Sequence, residues 1–328
     1  MPHAPNIHDR IDRTRFWSLP QPLRGDGQPR RTGVEIEFAG LDEVAAAACV
    51  QRLWGGALRQ SGESRLTLAG SRHGDVSVER DTALAAEGAE GLVRDLLGDL
   101  VPVEIVTAPL PHAALPDVDA LVVALRRAGA RGTRDALAYG FGLHLNPEIA
   151  APDAGFVLPV VRAYGLLEDW LRAGDPIDTA RRLLPFVDPW PRVLIDALAD
   201  EAAFWDLAEL AEAYLALTPS RNRGLDLLPL LTHLVPERVQ AALPEGQAKG
   251  GRPTFHYRLP EARIDEPRWT VAYEWNRWCI VERVAARPAL LKALAAAWRG
   301  HRAAYTTVRG DWALQVERRL RAARIWQP

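Results

Sequence analysis

Gly33-Val34-Glu35-Ile36-Glu37-Phe38 reads as one strand with two unlike faces. Val34, Ile36 and Phe38 alternate with Glu35 and Glu37, which is the period of a half-buried strand. At about 3.3 Å per residue, the two carboxylates stand roughly 6.6 Å apart on the same side. Parallel acids with no base between them repel each other and weaken a strand. A divalent cation removes that cost, because Mg²⁺ is held by one or two carboxylates together with phosphate oxygens. A Glu-x-Glu on a solvated antiparallel strand is also common, so the hexapeptide gains meaning only from what surrounds it.

Working outward, Asp42 can cap a helix from about Glu43 to Trp54 that Gly55-Gly56 stops. Strands are expected over 76–81, 101–107 and 139–146, with helices over 90–100 and 116–128, the latter ending at Gly129. Residues 153–245 read as almost wholly helical, with apolar spacing over 156–173, 190–217 and 225–235 and breaks at Pro185, Pro219 and Pro236. Strand patterning returns over 254–259, and helices are expected at about 270–286, 288–299 and 301–325. The fold class is α+β: an antiparallel sheet with one polar face, a large helical insertion at about 153–245, and C-terminal helices. Residues 1–30 read as a polar lead-in to a single domain over 31–328.

The chain has 328 residues, 48% hydrophobic and 25% charged, which suits a soluble globular protein with a sizeable core. A formal net charge of −2 excludes a global basic field for nucleic acid or anionic membrane. No apolar run approaches the roughly 18 residues of a membrane span. The first fifteen residues, with His3, His8, Asp9 and Arg10, do not form the apolar core of a signal peptide. Cys49 and Cys279 are the only cysteines and form no C-x-x-C, so neither a disulfide framework nor a thiolate zinc site is expected. A reducing cytoplasm is the expected compartment.

Five strand segments share the design of the first. Ser77, Glu79 and Asp81 alternate with Val76 and Val78; Glu104 stands between Val103 and Ile105. Gly142, His144 and Asn146 alternate with Phe141, Leu143 and Leu145, and His256 and Arg258 with Phe255, Tyr257 and Leu259. Solvated sheet faces usually carry Thr, Lys, Gln and Ser, whereas these positions carry acids, His and Arg. In one sheet they would form a cation site flanked by an anion-binding Arg, which is the equipment of nucleotide phosphate chemistry. Neither a P-loop nor a dinucleotide-binding glycine motif is present.

In this order, Gly33–Phe38 (GVEIEF), Asp81-Thr82, Glu104–Leu110 (EIVTAPL), Gly142–Asn146 (GLHLN) and Phe255–Leu259 (FHYRL) resemble the motif series of the putative amidoligase family, carboxylate–amine ligases of glutamine synthetase-like fold. Arg221-Asn222-Arg223-Gly224-Leu225-Asp226 resembles the segment that brings basic residues to the site in that family. The resemblance implies ATP-dependent amide formation through an acyl phosphate on a small amino acid or peptide-like substrate. It implies that Glu35, Glu37 and Glu104 hold Mg²⁺, with Mn²⁺ as an alternative. It further implies that His144 and Asn146 contact nucleotide phosphate or metal, that Arg221 and Arg223 bind nucleotide, and that Arg258 stabilises the transferred phosphoryl group. Asp81 matches an acidic motif position. The partners implied are small carboxylate and amine substrates, with an amidotransferase-type protein as a source of ammonia.

One position departs from the family. His256 stands where a Glu is usual, and imidazole suits Zn, Mn or Fe better than Mg. Either one metal fewer is used, or a different metal, or His256 points elsewhere. Arg263 could replace Arg258 if the strand register slips. Two other readings stay open: a nucleotide- or metal-binding interaction protein without catalysis, and a metallohydrolase using His144, His256 and the acids. Trp269, Trp275 and Trp278 read as helix packing and His233 as a packed residue, while Glu274 and Glu282 read as surface ion pairs.

Overall fold

The strand β1 (Arg31–Phe38) lies inside the sheet because Val34, Ile36 and Phe38 are apolar on one side and fully buried. In the computed structural model, residues 7–62, 64–80, 102–132, 141–174, 187–200, 204–244 and 250–327 are described. β1 is followed by α1 (Glu43–Trp54), whose N-terminus is capped by the Asp42 side chain accepting from the Ala45 amide at 2.7 Å. Three antiparallel strands come next: β2 (Ala57–Gly62), β3 (Arg65–Ser71) and β4 (Gly74–Arg80). Then come β5 (Val103–Thr107), β6 (Leu110–Pro111) and α2 (Leu115–Ala128), which ends at Gly129 with a φ of 109°. β7 (Leu143–Pro147) precedes α3 (Ala154–Gly174), α4 (Arg192–Asp200) and α5 (Leu207–Leu217). After β8 (Leu225–Asp226) come α6 (Leu228–Leu234), α7 (Pro236–Ala242) and β9 (His256–Tyr257). The chain closes with α8 (Val271–Ala285), α9 (Pro288–Arg302) and α10 (Arg309–Ala322).

The nine strands among the described residues form one sheet in the order β2-β3-β4-β5-β1-β7-β9-β8, with β6 paired to the start of β1. Every ladder among the described residues is antiparallel. On one face Val34, Ile36, Val76, Val78, Ile105 and Leu145 are buried. There α1 lies on β3, β4 and β5, with α2 beside α1 and α8 between α2 and α3. The alternation then leaves the acids and histidines on the other face. No helix among the described residues is long and apolar enough to cross a membrane.

Several expectations need correcting. The hairpin β2–β3 was not foreseen, because all six residues of β2 are exposed and a strand solvated on both sides carries no alternation. The helix expected over 190–217 is two helices, since Asp206 and Glu209 form a capping box that starts α5. Leu225 and Asp226, placed on a helix from their spacing, pair instead with Tyr257 and His256, so the insertion contributes an edge strand to the sheet. The last helix begins at Arg309, not near 301. His233 is exposed. Residues of the lead-in are built into the core: Ile7, Ile11 and Leu19 are buried with the rest of the hydrophobic cluster. Glu274 and Glu282 are buried, not at the surface. Cys49 and Cys279 are buried free thiols. Asp81, Thr82, Pro185 and the helix over 90–100 lie outside the described residues.

Candidate functional site

The register of the sheet assembles the site. β1 and β5 set Glu37 opposite Glu104, and β4 and β5 set Glu79 opposite the same Glu104. On the other side of β1, Glu35 stands opposite His144 and Gly33 opposite Asn146. At the far edge, Asp226 stands opposite His256. Three carboxylates in a cross-strand row destabilise the sheet unless positive charge compensates them.

Glu35 is the best-held acid. Its Oε2 lies 2.8 Å from His144 Nδ1, and its Oε1 accepts from the Asn146 amide at 2.9 Å. Arg252 reaches Glu35 only at 3.7 Å, from a side chain that is 63% exposed. Glu37 accepts from the Gly142 backbone N–H at 2.7 Å, and its other oxygen lies 3.5 Å from His144 Nε2. Burial opposes a charge on Glu35, but the His144 hydrogen bond and the nearness of His256 outweigh it and hold the carboxyl well below its ordinary range. Burial also lowers His144, so the pair is a carboxylate and a neutral imidazole. That imidazole donates through Nδ1–H to Glu35 and turns the Nε2 lone pair toward Glu37.

His256 extends the cluster. Its ring lies edge-on to His144, with centroids 5.4 Å apart. Nδ1 is 3.2 Å from Asp226 Oδ2 and Nε2 is 3.9 Å from Glu35 Oε2. Asp226 is fully buried; burial works against its charge, yet the hydrogen bond with His256 holds it below the ordinary range. Arg221 Nε also approaches Asp226 at 3.2 Å, and Arg258 donates from Nη1 to the Arg221 carbonyl at 2.7 Å.

Glu35, Glu37, Glu104, His144, Asn146, His256 and, through Asp226, Arg221 are therefore brought together, with Arg258 beside Arg221. Arg223 turns to the helical layer, donating to Thr218 Oγ1 at 2.7 Å and the Pro189 carbonyl at 3.0 Å. Arg263 lies 3.8 Å from both Glu266 and Glu274, in a different ionic network. Two triads have donor atoms within 4.8 Å of one another and could hold a metal ion: Glu37, Glu104 and His144, and Glu35, His144 and His256. A neutral imidazole has one lone pair, so His144 can serve only one of them at a time.

A cavity of about 380 Å³ opens beside Glu35 and Glu104, lined by the hydroxyls of Ser61, Thr67 and Ser77 and by the Arg65–Glu79 ion pair at 2.6 Å. Sequence reasoning missed Ser61, Arg65 and Thr67 together with the hairpin that carries them. It also assigned no role to Asp226, although the acid sits five residues after Arg221 in the segment already singled out.

No curated protein and no solved structure matches this chain. Over residues 28–280, which include every strand among the described residues, the chain matches the family model described as "Putative amidoligase enzyme". The protein belongs to that amidoligase family, whose name points to ligase activity.

Proposed function

We propose that this protein is an ATP-dependent carboxylate–amine ligase on a glutamine synthetase-like sheet. The reading is carried by one observation: Glu35, Glu37, Glu104 and His144 converge on a single sheet face, next to Arg258 and Arg221. An oxygen of a small carboxylate substrate attacks the γ-phosphorus of ATP, the β,γ bridging P–O bond breaks, and ADP leaves. The amine nitrogen then attacks the acyl carbon, phosphate leaves with the C–O electrons, and the nitrogen loses a proton.

Glu37 and Glu104 fit an oxygen-preferring ion by donor type, and Mg²⁺ or Mn²⁺ bound there would neutralise phosphate oxygens. The residues of the chain supply orientation. Gly142 fixes Glu37, and Asn146 with His144 fixes Glu35. Arg258 stabilises charge on the transferred phosphoryl group. Arg221 binds nucleotide, and Arg223 acts through its hold on Thr218 and Pro189 to position the same segment. The cavity of about 380 Å³, lined mostly by polar and charged side chains, suits a small amino acid or peptide-like substrate. Ammonia from an amidotransferase-type partner would serve as the amine, and free buried cysteines suit a reducing cytoplasm.

The test is ATP turnover that depends on added carboxylate and amine. Turnover lost in Glu35→Ala and Arg258→Ala supports the ligase; turnover unchanged by both ends it. A second reading rests on the Glu35, His144 and His256 triad, whose imidazoles suit a metallohydrolase. It predicts cleavage of amide or phosphoester bonds without ATP.

A further inference from the structure

His256 is 7% exposed, and its two ring nitrogens have opposite surroundings. Nδ1 meets the Asp226 carboxylate at 3.2 Å, while Nε2 is buried and has no hydrogen-bond partner. A carboxylate only accepts, so Nδ1 carries a proton, and in the neutral ring Nε2 presents a lone pair. That lone pair faces Glu35 Oε2 across 3.9 Å, too far for a direct hydrogen bond. Two buried electron-pair donors so placed repel unless a cation stands between them. Two ligand atoms each about 2.1 Å from one ion lie up to about 4.2 Å apart, so the gap has the span of a bridging ion. Asp226 then plays the part of the carboxylate that fixes the tautomer and direction of a metal-bound histidine.

We propose that Glu35 and His256, the latter aimed by Asp226, hold a nitrogen-accepting first-row ion, with Zn²⁺ as the probe, in preference to Mg²⁺. The inference rests on the cation reading of this sheet face and adds that the position nearest β9 differs in metal preference from the Glu37–Glu104 position. An oxygen-only donor pair would accept Mg²⁺, whereas a neutral imidazole favours the softer ion. Asp226 is a positioning residue, since it acts through His256.

The experiment titrates the full-length protein with Zn²⁺ alone and Mg²⁺ alone by calorimetry, without nucleotide or substrate. It compares the wild type with His256→Glu and Asp226→Asn. The Zn²⁺-to-Mg²⁺ affinity ratio should fall at least about tenfold in His256→Glu, and Zn²⁺ affinity should fall about 10- to 100-fold in Asp226→Asn. A ratio that His256→Glu leaves unchanged overturns the proposal. Should that variant not fold, ¹⁵N-histidine spectra of the wild type decide. Zn²⁺ should shift one imidazole nitrogen to a metal-bound position while its partner nitrogen stays protonated, and spectra that do not respond overturn it. Because no ATP is present, a negative turnover assay leaves the Zn²⁺ result standing, and lost metal preference leaves ligase turnover to be judged separately.

Discussion

Among the buried ionisable groups of the described residues, a cluster on helix α8 and a cluster on the sheet are completed in opposite ways. On α8, Glu282 receives Arg30 through both carboxylate oxygens at 2.7 Å and the Trp278 indole at 2.9 Å. Glu274 is met by Arg277 at 2.7 Å and by the Trp269 indole. Each of these acids has a guanidinium in contact and N–H donors for the remaining lone pairs, which is the condition for a buried ion pair to be tolerated. On the sheet, Glu35 and Glu37 receive an imidazole, an amide and one backbone N–H, and Arg252 stands 3.7 Å from Glu35, its side chain largely exposed. The helix cluster is electrically closed and ties the lead-in to α8; on the sheet, Glu35 and Glu37 have no guanidinium within hydrogen-bond distance among the described residues. Density of charge alone does not mark a functional site. What sets Glu35 and Glu37 apart is that imidazole, amide and backbone N–H groups hold them where arginines hold Glu274 and Glu282.

Four measurements would break or sharpen this contrast. The largest effect is expected on the helix: Arg30→Ala should cost about 3–5 kcal/mol in urea unfolding, because Glu282 is left charged and buried. Glu37→Gln on the sheet should cost under about 1 kcal/mol or stabilise, since it removes a charge directly opposite Glu104. Equal losses in both variants would erase the distinction. Next, Glu37→Gln should lower amine-dependent ATP turnover by about 100-fold or more while the unfolding curve stays nearly in place. Third, Mg²⁺ at about a hundred times its Kd should stabilise the wild type by about 2.7 kcal/mol and leave a Glu37→Gln, Glu104→Gln double variant unaffected. Chelator should reverse the gain, and an equal response in the double variant would place the ion elsewhere.

The smallest effect concerns pH. Burial lowers His144, so above about 6.5 the imidazole is neutral both folded and unfolded. Below that value the unfolded chain takes up a proton that the buried ring refuses, and stability falls with pH down to the lower folded value. Glu35 and Asp226, both depressed, contribute stability above the ordinary carboxylate range that is lost as pH falls through their folded values. Urea midpoints between pH 7.5 and 5.5 should therefore decline in the wild type and flatten in His144→Gln. No change of slope would mean that His144 is not the titrating group.

Much of the site could be read from strand periodicity. Alternation in GVEIEF and GLHLN put Glu35, Glu37, His144 and Asn146 on one face, and the ladders align them. Asp42 and Gly55 marked α1 as caps do, by chemistry confined to a few neighbouring residues. The failures share a different cause. β2 and β3 are held by pairing and not by an apolar face, so nothing in Ala57–Gly62 announced a strand. Leu225 and Asp226 fit helical spacing, yet two residues of β9 claimed their backbone. Glu274 and Glu282 lie at helical spacing among polar neighbours, and only the arrival of Arg30, 252 residues away in sequence, makes burying Glu282 tolerable.

The amino-acid sequence by itself determined which side chains share a strand face, where helices begin and end, and that carboxylates and imidazoles would crowd one side of a sheet. These follow from periods of two and 3.6 residues and from local capping, which need no knowledge of distant neighbours. The tertiary structure alone decided which partner each buried acid meets. It set Asp226 behind His256, turned Arg223 toward the helices, and gave Glu282 its arginine. Electrostatic pairing acts over a few ångströms between residues remote in sequence, so it becomes visible only once the chain has folded.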